Sequence, residues 1–175
     1  MRFALTAASA LMLSACAAAG GLNMVHTVIV DPYFGISEVA VTGAPMPTRV
    51  IGAPRDGASL DQTLAALTLP ARLGARPARA ETPDDFRGLR VVFAYAPLPA
   101  SRICEADAAG GAAGGGKIGV TEISAALCRG DRQYSYGILR TQAAGPTDPG
   151  FRGAVLQLFG AIMPHQTEEF IRPRR

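Results

Sequence analysis

The sequence predicts one α+β domain, a mainly antiparallel sheet of four to five strands with two helices packed on one face. Three observations carry that fold class. Leu89, Val91, Phe93 and Tyr95 alternate with Arg90, Val92, Ala94 and Ala96, the period of two with which a strand sends side chains to opposite faces. Residues 118–128 and 133–141 are rich in Ile, Val, Thr, Tyr and Leu on either side of Arg129-Gly130-Asp131-Arg132, turn chemistry that closes a hairpin. Phe151, Val155, Leu158, Phe159 and Ile162 recur at i, i+4, i+7, i+8 and i+11, the apolar stripe of a helix that packs on the sheet.

Taken in order, residues 24–30 are apolar and β-branched and end at Asp31-Pro32, which reads as a strand. Residues 39–42 are a second short strand candidate. Pro45, Pro47 and Pro54 then interrupt the chain, leaving Arg49-Val50-Ile51 as a short extended piece. Ser59 and Gln62 form a capping box, each satisfying a free amide of a first helical turn. Leu60, Leu64 and Leu67 share one face of the helix that follows, over 60–69, stopped before Pro70. Residues 72–85 are a connection in which 77–81 could form an edge strand. Residues 89–96 are the clearest strand, and the Ala/Gly run at 108–116 precedes the hairpin as a surface loop. Asp148-Pro149 caps and opens the second helix, over 149–163 and stopped by Pro164. The domain occupies 24–170, with a basic tail at 171–175.

The leader comes before all of these. Met1-Arg2 is a short positive start, and Phe3 to Leu13 is an uncharged apolar run, the anatomy of a secretory signal over 1–15. At roughly eleven residues it is too short to span a bilayer, which takes about 20. Leu13-Ser14-Ala15-Cys16 resembles the lipobox of bacterial lipoproteins. The resemblance implies diacylglycerol on the Cys16 sulfur, cleavage before Cys16 and usually a third acyl chain on the new amino group. Two or more chains make anchoring stable where one is marginal. It further implies a protein anchored in the cell envelope and facing the periplasm. Because Ala17 stands where Asp would favour inner-membrane retention in enteric bacteria, the outer membrane is preferred. An ordinary signal cleaved after Ala17 or Ala19 is the competing reading. Residues 16–23, small and Gly-containing, form a tether.

With Cys16 assigned to lipid, Cys104 and Cys128 are an even pair in an oxidising compartment, and a disulfide is expected. Their spacing is far from Cys-x-x-Cys, which disfavours a thioredoxin-type role. Without its leader the chain carries 16 basic and 14 acidic residues, no footprint for nucleic acid. Every basic residue but Lys117 is Arg, which codon bias explains better than phosphate binding. Arg172, Arg174 and Arg175 read as a solvated terminus.

The remaining motifs are weak. Gly111 to Lys117 satisfies G-x-x-x-x-G-K, but Ile118 replaces the Mg²⁺-binding Ser or Thr, and a strand rather than a helix follows; nucleotide binding is not expected. Arg129-Gly130-Asp131 is good turn chemistry before it is an adhesion motif. His26 lies in a strand, and His165 with Glu168 and Glu169 lacks a second imidazole, so neither a metal site nor a cofactor is expected. There is no G-x-S-x-G, and Ser101, Ser124 and Ser135 have no neighbouring His. Glu105, Asp107 and Glu122 are scattered, and no catalytic residue is assigned. Tyr134 and Tyr136 on one strand face are a candidate partner surface. The reading is a non-enzymatic accessory lipoprotein that binds another envelope protein. A module binding a small amphiphile, lipid or glycan is the alternative, and a carboxylate hydrolase a distant third.

Overall fold

The computed structural model describes residues 23–31, 45–81, 85, 87–105 and 119–163. The leader, Cys16, the strand candidate at 39–42, the Ala/Gly run, His165 and the basic tail lie outside the described residues. The elements are β1 (Met24–Val30), β2 (Pro45–Ile51), α1 (Leu60–Ala66), a 3-10 turn (Ala71–Leu73), β3 (Arg76–Arg79), β4 (Leu89–Ala94), β5 (Thr121–Arg129), β6 (Arg132–Thr141) and α2 (Phe151–Ile162).

The fold is α+β, as expected, but the sheet has six strands in the order β1-β6-β5-β4-β2-β3 and is mixed. The pairs β1/β6, β6/β5 and β5/β4 are antiparallel, whereas β2 runs parallel to both β4 and β3. The correction has a physical cause. Pro45 and Pro47 lie where β2 pairs only with β3, and β4 joins from Thr48 onward. A residue without an N–H is tolerated at the start of a strand and beside an edge. Pro77 likewise sits in β3, which is the edge strand.

Two cores sit on the two faces. On one, Val91 and Phe93 of β4, Tyr95 just after it, and Ile123, Ala125 and Leu127 of β5 meet Phe151, Val155, Leu158, Phe159 and Ile162 of α2, with Ala66 of α1 and the following Leu67, Leu69 and Leu73. Both helices therefore pack on this face. Phe93 is its centre, edge-on to Tyr95 at 5.2 Å and 6.3–6.4 Å from Phe159 and Phe151, within the range where aromatic pairs attract. On the other face Ile51, Val92, Ala94, Ala126, Cys128 and Tyr136 are covered by Leu98, Ala100, Ile103 and Cys104. The segment 97–105, which leaves β4, is thus a strap across the second face. β4 is buried on both sides, Arg90 included.

The capping box at Ser59 is present: its Oγ accepts from Gln62 N at 3.2 Å, and Gln62 Oε1 accepts from Ser59 N at 2.8 Å. α1 ends at Ala66, three residues short of the expected 69, because Leu67 turns extended. At α2 the cap residue is Gly150 rather than Asp148. Asp148 still helps, its Oδ1 accepting from Gly150 N at 2.8 Å.

Candidate functional site

Cys104 and Cys128 form a disulfide, with Cα atoms 5.7 Å apart. It ties the strap to β5, and both cysteines are buried. Polar groups of the sheet hold the strap as well. Ser124 Oγ donates to Ala96 O at 2.7 Å and accepts from Leu98 N at 2.9 Å. Tyr136 Oη donates to Leu98 O at 2.7 Å. Arg90 Nη2 donates to Cys104 O at 2.7 Å and Arg49 Nη1 to Glu105 O at 3.2 Å, so two guanidinium groups meet the carbonyls where the strap ends. Burial, and then the neighbouring Arg49, lower the pKa of Arg90, with Asp131 opposing.

Tyr134 and Tyr136 are not brought onto one surface. Leu127 pairs with Ser135 and Cys128 with Gln133, so Tyr134 is the extra residue of a β-bulge. The alternation is broken there. Tyr136 belongs to the strap-side core at 2% exposure, whereas Tyr134 is half-buried against the helix-side core. Burial pushes the Tyr136 hydroxyl above its ordinary range. Of the two tyrosines, only Tyr134 keeps part of its surface exposed.

Tyr134 sits at the hairpin end with Arg132 over its ring at 4.8 Å and Arg129 at 5.8 Å, cation–π distances. Arg132 also pairs with Asp31 at 3.0 Å, and Asp31 N donates to Tyr134 O at 2.7 Å. This end is continuous with edge strand β1, where Met24, Val28, Ile29 and Val30 are 37–49% exposed. The register of β1 shifts between His26 and Ile29. Thr27 there has φ +55°, a rare conformation for a β-branched residue. Tyr and Arg beside an apolar strip is the composition of binding hot spots.

Of the other sequence candidates, Asp107, His165, Glu168 and Glu169 lie outside the described residues. Ser124 is buried and hydrogen-bonded to the strap, and Ser135 is buried on β6. Glu105 pairs with Arg102 and Glu122 with Arg140. Among the described residues no three His, Cys, Asp or Glu side chains gather where a metal could bind.

Sequence reasoning missed a polar clasp at the end of the sheet where β2 and β4 finish. Asp56 accepts from Ala58 N at 3.0 Å, Thr147 N at 2.9 Å and Thr147 Oγ1 at 2.7 Å. Burial pushes its carboxyl up, but these hydrogen bonds outweigh burial and hold it below the ordinary value. Arg55 Nε donates to Thr121 Oγ1 at 3.0 Å, and Thr121 Oγ1 donates to Ala143 O at 2.7 Å. Behind them the Thr63 and Tyr95 hydroxyls meet at 3.2 Å, and burial pushes Tyr95 to about 12 against that bond. Asp56 already accepts three hydrogen bonds, so the clasp joins two loops rather than offering a base. The signal available in the sequence was Asp-Gly at 56–57, which marks a turn and names no partner ninety residues away.

No family model, no curated protein and no solved structure matches this chain.

Proposed function

We propose that this chain is a membrane-anchored envelope lipoprotein, held by lipid on Cys16, with a non-enzymatic accessory role in an envelope complex. The observation that carries the binding role is the exposed hairpin end: Tyr134 under Arg132 and Arg129, continuous with the apolar edge of β1. An anchor so close to β1 keeps that surface near the bilayer, where a membrane-embedded partner is within reach.

The alternative, an amphiphile-binding module, needs room between sheet and helices. The side chains of Phe93, Ile123, Phe151, Leu158 and Phe159 are fully buried among one another there, which favours the accessory reading. A photo-reactive residue placed at 134 in the full lipidated chain is expected to give a discrete protein adduct in cells. The same probe at Ala65, exposed on α1, is expected to give none. Equal yields at the two positions would contradict the reading.

A further inference from the structure

We propose that the outer edge of β1 is a membrane-contact surface, with Met24, Val28, Ile29 and Val30 seated in the headgroup region of the bilayer. The inference rests on the lipid anchor at Cys16, and four observations lead to it. First, only seven residues lie between Cys16 and Met24, so that the eight steps from one to the other reach at most roughly 29 Å at the extended-chain limit. β1 is the described element that follows the anchor most closely in the chain. Second, the residues between them carry no charge, so nothing in the tether resists approach to lipid.

Third, the same strand holds four of the five large apolar side chains that stand exposed among the described residues. The charged groups beside them are Arg129, Arg132 and Arg140 against Asp31, Asp131 and Glu122, three of each sign, and they cancel; contact is therefore apolar, and insensitive to lipid charge and salt.

Fourth, β1 is poorly made for pairing with another strand. The shift between His26 and Ile29, with Thr27 at φ +55°, interrupts a regular edge, a feature that blocks edge-to-edge addition. That disfavours a second copy as the occupant. The unpaired backbone groups of an edge strand would be costly in hydrocarbon, which places β1 at the wet boundary and not deeper.

The chain has no Trp, so one introduced indole reports from one place. Ile29→Trp and Ala65→Trp are made in the full lipidated protein and reconstituted into phosphatidylcholine vesicles, with or without brominated acyl chains. α1 packs beside β3 at the far edge of the sheet, roughly 24 Å from β1. The indole at 29 is expected to lose most of its emission to bromine and the indole at 65 to keep it. Equal emission from the two, with acyl chains present by intact mass, overturns the proposal and leaves the edge to a protein partner. Should intact mass find no acyl chains, the anchor has failed separately. Quenching at 29 by the unlipidated chain then supports the surface, and its absence removes it.

Discussion

Gly137 lies on β6 beneath α2, and a Cβ there would stand 2.6 Å from Ile162 Cγ2 and 3.1 Å from Leu158 Cδ1. Ile162 is fully buried and its branched carbon is stiff, so the helix would have to lift. Gly137→Ala is expected to destabilise the fold by about 1–3 kcal/mol, the cost of overpacking, as read by chemical denaturation. Titration tests a second site. The Tyr95 hydroxyl is raised by burial to about 12, above its unfolded value of about 10. A raised acid leaves stability intact below the unfolded value and removes it as pH climbs through the folded one. Stability should therefore fall between pH 10 and about 12, and Tyr95→Phe should flatten that fall. Asp56 acts in the opposite sense: its lowered carboxyl contributes above its unfolded value, a contribution lost as acid protonates it. Residue-scale features were the least legible in the sequence. Two tyrosines spaced by two read as one face, and the bulge at Tyr134 that separates them leaves no mark in residue types.

At the scale of elements the sequence was more readable. The alternation over 89–96, the two-residue turn Gly130-Asp131 with Gly130 at φ +55°, the Ser59 capping box and the stripe of α2 all depend on neighbours close in the chain. β2 and β3 were harder, because their prolines argue against strands until one knows which edge lies free. The strap was hidden for another reason. Pro97 and Pro99 signal irregular backbone, and nothing local says that irregular backbone will cover a sheet face. Cys104 gave the one clue, and the disulfide to Cys128 fixes the strap over Val92, Ala126 and Tyr136. The bridge joins residues 24 apart, and a loop of that length stabilises by roughly 3–4 kcal/mol in the chain-entropy model. Replacing both cysteines by Ala is expected to cost about that much in denaturation, while the hairpin pairing between β5 and β6 stays. A loss near zero would mean that Ser124, Tyr136 and the two arginines hold the strap unaided.

For the whole molecule, the strand order combines a local antiparallel half, β4-β5-β6, with partners brought from far along the chain, β1 at one edge and β2-β3 at the other. Pairings of that range set the topology and have no signature in periodicity, so the sheet was legible as a class but not as an order. The candidate surface was half legible: Tyr134 was singled out, but not the edge strand beside it, whose exposure depends on its place in the sheet. The proposed seating of that edge on the bilayer depends first on lipid at Cys16. The most direct measurement is metabolic labelling with a clickable palmitate, comparing the natural chain with Cys16→Ser. The natural chain should carry label and remain with the membranes, and Cys16→Ser should carry none. An unlabelled natural chain, or full label on Cys16→Ser, would contradict the account.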